Sequence, residues 1–259
     1  MERRQRCPLC NGPITRHWSG QVFDRCLACG VIFRNPQPDA AALRHLYRES
    51  WSDPEHCVNE TGDTTRQLAD MYARRLATSL GRRDFHGLTI LDFGAGRGAM
   101  TDALSSLGGA VWGVEPYGAE LLRREGRKVV GSLEELPTGL EFDGAVALEV
   151  VEHLPDPPNE LRHLRGRLRE GGWLCVTTPN PRGLAARLQR GAWREATKAT
   201  HVMFFPPRGL AWLLQEAGFT RSQRLRWSIR YTPRKVRRLV HYVLQAAGLD
   251  GQLQFLGWR

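Results

Sequence analysis

From Leu88 onward the chain alternates apolar runs with stretches of helical period. The runs at 88–93, 110–115, 128–131, 142–148 and 172–178 read as strands, and the amphipathic segments 98–107, 117–125 and 158–169 read as helices. This alternation specifies a parallel, doubly wound sheet, because right-handed crossovers return each strand in the same direction. The expected class is α/β. Ligands in such sheets bind beyond the carboxyl ends of the strands. Asp92, Glu115, Ser132 and Glu149 all fall at those ends. Further on, 221–230 reads as a strand, and Pro233 precedes a helix over 234–247. Val236, Leu239, Val240, Val243, Leu244 and Ala247 form that helix's apolar stripe, and Gly248 ends it. Gln252–Trp258 reads as a final strand.

Upstream the pattern weakens. Asn35-Pro-Gln-Pro38 breaks the chain, Asp39 can cap a helix through about Arg48, and 49–62 is polar and irregular, as a linker would be. A second helix starts at Asp63 or Thr64. It carries Leu68, Met71, Tyr72, Leu76 and Leu80 on one face and stops at Gly81. That face would cover either the mouth of the ligand site or one face of the sheet. The expected divisions are 1–38, a helical segment 39–84, and the sheet domain 85–259. No apolar segment of signal-peptide length follows Met1, and no run approaches the ~20 residues that span a bilayer. A cytoplasmic protein is expected.

The turn after the first sheet strand carries the candidate chemistry. Asp92-Phe-Gly94-Ala95-Gly96-Arg-Gly98 places three glycines at alternate positions ahead of a helix. Glycines there take positive φ without strain and let backbone approach a ligand closely. Glu115 closes the next strand, 21 residues after Gly94, where an acid can hold both hydroxyls of a ribose. A βα turn without a ligand can carry the same glycines, and the acid in register favours a nucleoside-bearing cofactor. The dinucleotide fingerprint needs its third glycine one residue later, and Asp92 would repel a pyrophosphate. S-adenosylmethionine has no phosphate and carries ammonium and sulfonium cations, so an acid at the turn suits it.

Cys7-Pro-Leu-Cys10 and Cys26-Leu-Ala-Cys29 are two C-x₂-C pairs separated by 15 residues. In a reducing compartment four thiolates at this spacing make a tetrahedral zinc site. Strands at about Ile14–Trp18 and Gln21–Asp24 would join the two knuckles as a zinc ribbon. The ribbon is expected chiefly as a metal staple, with substrate or nucleic-acid docking as the alternative.

Charge adds one regional feature. Residues 221–259 hold nine Lys or Arg against a single acid, Asp250, within a chain of net charge +10. This region is expected to face an anionic acceptor or, with its apolar stripe outward, an anionic membrane surface.

The run Phe142-Asp-Gly-Ala-Val-Ala-Leu-Glu-Val-Val-Glu-His-Leu-Pro-Asp-Pro157 and the later Leu168-Arg-Glu-Gly-Gly-Trp-Leu-Cys-Val-Thr-Thr-Pro-Asn180 resemble class I SAM-dependent methyltransferases. The branch with an E-x-x-E-H segment after the fourth strand, which includes the ubiquinone-type O-methyltransferases, is the most similar. His201-Val-Met-Phe-Phe-Pro-Pro-Arg-Gly-Leu210 and Leu214-Gln-Glu-Ala-Gly-Phe219 look like the same branch. The double C-x₂-C ahead of N-P-x-P resembles a subset with an N-terminal zinc ribbon. The resemblance implies a Rossmann-like, mostly parallel seven-stranded sheet, with Gln252–Trp258 as its antiparallel last strand. It also implies that Asp92, Gly94, Ala95 and Gly96 line the methionine part of SAM, that Glu115 binds the ribose, and that Pro116 lies near the adenine. Ser132 and Leu133 stand where the family often has an acid for the adenine amino group, a departure. Glu149 would sit beside the transferable methyl. His153 and His201 are the candidate bases, since a neutral imidazole accepts a proton at cytosolic pH. For His153 the plain alternative is a helix-start residue bonded to backbone. The irregular stretch Pro179–Thr200, running on to about 205, would form the acceptor lid.

The acceptor is expected to be a small molecule or glycan, methylated on oxygen. A nucleic-acid methyltransferase is the alternative that the ribbon and basic tail suggest. Against it, Glu149-Val-Val-Glu152 stands where enzymes methylating base amines carry Asn/Asp-Pro-Pro-aromatic. Cys175 lies mid-strand and Cys57 in the linker, poor places for a nucleophile. A SAM-binding protein without catalysis is the remaining alternative.

Overall fold

The computed structural model describes residues 2–18, 22–52, 62–227 and 243–259. In chain order the strands are β1 (Ile14–His17), β2 (Phe23–Cys26), β3 (Ile32–Arg34), β4 (Thr89–Phe93), β5 (Ala110–Val114), β6 (Val129–Val130), β7 (Phe142–Leu148), β8 (Leu168–Pro179), β9 (Met203–Phe204), β10 (Arg221–Leu225) and β11 (Gln252–Trp258). The helices are α1 (Ala40–Ser52), α2 (Asp63–Ser79), α3 (Ala99–Ser106), α4 (Ala119–Arg124), α5 (Pro157–Gly166), α6 (Leu184–Gln189), α7 (Arg194–Thr197) and α8 (Pro207–Glu216).

Seven strands form the central sheet in the order β10-β11-β8-β7-β4-β5-β6. The run from β8 to β6 is parallel, and β11 inserts antiparallel between β8 and β10, with Leu253 opposite Thr178. This is the expected doubly wound α/β sheet with an antiparallel last strand. Successive residues of a strand face opposite sides, so β4 sends Ile90 to one layer and Leu91 to the other. On the Ile90 side, Ala69, Ala73, Leu76 and Ala77 of α2 pack with Met100 and Leu104 of α3, Phe85 and Trp173. Of the two places expected for α2, the sheet face is the one it takes. On the Leu91 side, α5 and α8 bury Leu161, Leu164, Leu210 and Leu213. Proline at the start of α5 costs no hydrogen bond, and Asp156 caps the helix by accepting from the Asn159 N–H at 3.4 Å.

The N-terminal ribbon joins that second layer. Cys7, Cys26, Cys29, Val31 and Phe33 belong to the same buried cluster as Leu91 and Phe93. Its strands form a four-stranded antiparallel sheet, β1-β2-β3-β9, in which the last strand comes from the far side of the sequence: Ile32 lies opposite Phe204 and Phe33 opposite Met203. Trp18, Phe23, Trp193 and Phe204 pack ring on ring across this junction, with centroids 5.2–6.1 Å apart.

Several expected bounds move. The second ribbon strand, Phe23–Cys26, runs past the expected end at Asp24, because its pairing extends to Cys26 opposite Ile14. The strand expected at 128–131 is only two residues long, since it is an edge paired on one side. The strand expected at 221–230 ends at Leu225. The stretch expected to be irregular between Pro179 and Thr200 contains α6 and α7. The basic helix expected over 234–247 lies outside the described residues apart from its last turn, where the Ala247 N–H donates to the Val243 carbonyl at 2.9 Å. Part of the expected linker, 53–61 with Cys57, also lies outside them.

Candidate active site

The glycine turn after β4 folds as its composition demands. Gly94, Gly96 and Gly98 have φ of +80°, +52° and +86°. The N–H groups of Gly94 and Ala95 donate to the Val114 carbonyl at 2.9 and 3.0 Å, which ties the turn to the end of β5. A Cβ on Gly94 would lie 2.5 Å from Val150 Cγ2, so the backbone there is closely covered. Glu115 is buried at the end of β5. Its Oε2 accepts from the Gly96 N–H at 3.0 Å and its Oε1 from the Tyr117 N–H at 3.0 Å. Asp92 is buried, its Oδ2 accepts from the Thr101 hydroxyl at 2.6 Å, and burial raises its pKa to about 6. Two acids beside a glycine turn, whose Arg97 guanidinium is engaged by the ring and carbonyl of Trp51, suit a phosphate-free, cationic nucleoside. The residues present therefore fit SAM.

The other candidates spread around this centre. The Ala95 side chain points away, packed with Ala119, Leu122 and Val129 behind the turn, so only its backbone faces the loop. Leu133 is likewise in the apolar core, and its carbonyl accepts from Arg167 at 2.9 Å. Both side chains are too apolar to stay at a solvated edge. Pro116 is exposed, and Ser132 opens a single 3₁₀ turn.

Sequence reasoning expected a helix from Asp39 through about Arg48 but missed the reach of α1 to Ser52 and its place over the site. Leu43, Tyr47 and Trp51 are spaced one turn apart and lie across the sheet edge. The Tyr47 ring stacks on Tyr117 with centroids 5.4 Å apart. The Arg97 guanidinium lies 4.0 Å from the Trp51 ring, and it also donates to the Trp51 carbonyl. Trp51 packs closely against Gly118, where a side chain would collide with the indole. The end of α1 thus bridges the 94–98 and 115–118 turns. The only advance sign was the apolar spacing 43, 47, 51, since aromatic packing over loops leaves no periodic mark of its own.

Beyond the end of β7 the polar groups gather. Glu149 takes φ +55°, and its N–H donates to the Thr177 carbonyl at 3.0 Å. Its Oε1 accepts from the Thr177 hydroxyl at 3.1 Å and from Gln252 Nε2 at 2.6 Å. Solvent reaches Glu149, yet protein surrounds it, as expected for the wall of a cleft, and that surrounding raises its pKa. Glu152 is fully buried. Its Oε2 accepts from the Thr178 hydroxyl at 3.0 Å, while Oε1 has no hydrogen-bond partner among the described residues. Burial and the nearby Glu149 charge push Glu152 well up. His153 Nδ1 lies 3.1 Å from the Thr200 carbonyl, an oxygen that can only accept. The neutral ring therefore carries its proton on Nδ1 and leaves Nε2 as a base. His201 meets His153 edge to face with centroids 4.6 Å apart. Burial lowers His153 to about 4 and lowers His201 as well, with the neighbouring His153 and Lys198 adding to the latter. The backbone bond expected of a helix-start His153 is present, and the ring also faces His201. Glu152, His153 and His201 offer ligand atoms within 4.8 Å of one another, so the same cluster could hold a cation.

The four cysteines meet in the ribbon. Cys7 and Cys29 sulfurs are 3.7 Å apart, Cys10 and Cys26 sulfurs 3.4 Å, and all four lie within 4.8 Å of one another. A tetrahedral site with Zn–S bonds of about 2.3 Å has sulfurs about 3.8 Å apart, so this donor set fits zinc. Each knuckle is closed by backbone bonds, Cys7 N–H to Gly12 at 3.0 Å and Cys26 N–H to Val31 at 2.9 Å.

Residues 63–223 match the family described as a methyltransferase domain. The chain belongs to that family. Among curated relatives, the ubiquinone biosynthesis O-methyltransferase of Ruegeria pomeroyi is 31% identical over 212 residues, covering 70% of this chain and 82% of the relative. That of Paramagnetospirillum magneticum is 31% identical over 157 residues, 55% of this chain and 63% of the relative, just under two thirds of its length. In solved structures the fold is shared with the 1,6-didemethyltoxoflavin-N1-methyltransferase of Burkholderia thailandensis, with a TM-score of 0.55, 21% identity and 88% of this chain covered against 95% of that one. Its structure holds S-adenosylhomocysteine. This methyltransferase is SAM-dependent, with the Rossmann-like fold that its motifs implied. Among the described residues no helix is long and apolar enough to cross a membrane.

Proposed function

We propose that this methyltransferase methylates a hydroxyl oxygen of a small molecule, with a phenolic acceptor of the ubiquinone-biosynthesis kind as first choice. The observation that carries the reading is the His153 tautomer: Nδ1–H donates to the Thr200 carbonyl, which leaves Nε2 as a base on a ring grouped with Glu152 and His201 beyond β7. Relatives at 31% identity that bear the name ubiquinone biosynthesis O-methyltransferase support oxygen as the acceptor atom.

In this reading Gly94, Gly96 and Asp92 line the methionine end of the cofactor, and Glu115 holds its ribose. SAM supplies an electrophilic methyl group and needs no acid for its departure. The acceptor hydroxyl must lose its proton as its oxygen bonds to carbon, and His153 Nε2 takes that proton. A phenol, already weakly acidic, asks little of a base whose pKa burial has lowered, and alignment supplies much of the rest. Glu149, fixed by Thr177 and Gln252, orients the acceptor. Cys7, Cys10, Cys26 and Cys29 hold one structural zinc.

A glycan acceptor is the second choice, and RNA the third. The test is S-adenosylhomocysteine release with a panel of catechols and phenols, sugar nucleotides, lipid-linked glycans and total RNA. Turnover confined to phenols is the expected result. Turnover with RNA or sugar nucleotides and none with phenols would overturn the reading.

A further inference from the structure

Beside strand pairing and ring packing, one side chain ties the ribbon to the acceptor lid. Arg34 ends β3. Its Nε donates to the His201 carbonyl at 3.2 Å, and its Nη2 donates to the carbonyls of Ala196 and Lys198 at 3.1 and 3.0 Å. Its own N–H donates to the Val202 carbonyl at 2.9 Å. The guanidinium lies 4.8 Å from the Phe23 ring of the ribbon. Among the described residues Arg34 makes no ion pair, so its donors are spent on lid backbone. We propose that Arg34 is a positioning residue for methyl transfer, holding the turn 196–201 so that His201 stays seated against His153.

Three observations support this. The Ala196 carbonyl lies in the last turn of the four-residue α7, and those of Lys198 and His201 sit on the non-repetitive turn between α7 and β9, where no strand pairing organises them. A planar guanidinium presents several donors in fixed relative directions, which suits collecting carbonyls that diverge. Finally, the His201 ring has no side-chain tie of its own, although its backbone N–H donates to the Lys198 carbonyl at 3.2 Å and the next N–H, of Val202, to the Glu152 carbonyl at 2.9 Å. The His201 Nδ1 makes no hydrogen bond of good geometry among the described residues, and the Glu195 carboxylate oxygen 3.8 Å away is already ion-paired with Lys198. The ring is placed by its backbone and by packing against His153 and Phe204, so whatever holds that backbone holds the ring. The ribbon is then a wall of the acceptor site. This inference rests on the reading of His153 and His201 as acceptor-side groups.

The test replaces Arg34 by Met, which keeps the stem that covers Phe23 and removes every donor. Amide exchange over 196–204 should accelerate at least tenfold, and the His201 imidazole NMR signals should shift, while zinc content, SAM affinity and exchange in β4 and β5 stay unchanged. With catechol as methyl acceptor, kcat/KM should fall at least tenfold with the KM for SAM unchanged. Arg34→Lys keeps the charge without the fork and should fall between the two. If Arg34→Met sheds zinc, the zinc-loaded Lys variant carries the test. Unchanged exchange and unchanged His201 signals in the zinc-loaded variants would overturn the inference. Altered His201 signals with normal catechol turnover would show that Arg34 seats His201 but would overturn its role in methyl transfer, and with it the acceptor-side role of His201.

Discussion

The Glu115 carboxylate accepts from the Gly96 N–H at 3.0 Å, so the acid ending β5 and the glycine turn after β4 are one unit. Removing that carboxylate frees the turn and, in the proposed reading, deletes the ribose acceptor with it. Glu115→Ala should weaken SAM binding by about 1–3 kcal/mol, roughly 5- to 150-fold in Kd, with the fold retained. Titration calorimetry measures it. Unchanged affinity would remove Glu115 from the cofactor site.

Gly94 makes a steric prediction. Alanine there meets two penalties, a φ of +80° and a Cβ 2.5 Å from Val150 Cγ2. Gly94→Ala should cost about 1–3 kcal/mol in stability and weaken cofactor binding further. Adding Val150→Ala relieves the clash and leaves the backbone strain, so the double variant should regain only part of the loss. Full recovery in a urea denaturation series would show that φ at this position carries no cost.

Gly94 and Glu115 were legible as candidate site residues in the sequence, for local reasons, whereas the Val150 contact and the bond to Gly96 were not. A strand, glycines at alternate positions and an acid closing the next strand are short-range rules, and the sheet follows from their repetition. What escaped notice depends on contacts far apart in the chain. Tyr47 and Trp51 cover turns some 50–70 residues away. The two-residue β9 is too short for any periodic signal, yet it carries the pairing of the lid with the ribbon. Glu152 was legible as part of a motif, but its lone Oε1 appears only once β7 and β8 are side by side. Ala95 and Leu133 show the converse. Their position along the chain pointed at the cofactor, and their apolar side chains turned inward.

Asp92 yields a pH signature. Burial raises its folded pKa to about 6 from an ordinary value near 3.8. A raised folded value means the unfolded state gives up this proton first as pH rises. The stabilising contribution is thus present below pH ~4 and is lost as pH climbs through ~6. Asp92→Asn, which keeps an acceptor for Thr101, should gain stability relative to the wild type between pH 4 and pH 7, by up to about 3 kcal/mol. Because a cation favours the carboxylate, SAM affinity of the wild type should also fall as pH drops below ~6. The variant should bind SAM weakly with little pH dependence. Urea denaturation and calorimetry at pH 4.5 and 7.5 check both halves, and a pH-independent stability difference would show that Asp92 is not held up.

The cysteine cluster predicts one zinc per chain, read by elemental analysis of protein purified without chelator. Cys26→Ser should release it. Because Cys26 and Phe33 share a buried cluster with Leu91, the loss should lower the melting temperature of the whole chain, not of the ribbon alone. A metal-free wild type, or a variant that melts like the wild type, would contradict the zinc assignment.

The histidine pair carries the last prediction. Burial holds His153 neutral down to about pH 4, and His201 is lowered too, so neither ring titrates near the ordinary value of 6.5. The rate of methyl transfer at saturating SAM should show no histidine inflection between pH 6 and 7. His153→Asn tests the role more sharply. The asparagine amide can still donate to the Thr200 carbonyl, so the turn stays tied, but no group remains to take the acceptor's proton. The expected loss in kcat is about 10²–10⁴-fold with SAM affinity unchanged, the range for a positioned general base. An acceptor that is already ionised at the assay pH needs no base, so raising pH toward the phenol's own pKa should restore part of the variant's rate while leaving the wild type flat. If His153→Asn keeps the wild-type rate at neutral pH with a phenol of high pKa, His153 is a tie for Thr200 and the proton leaves by solvent.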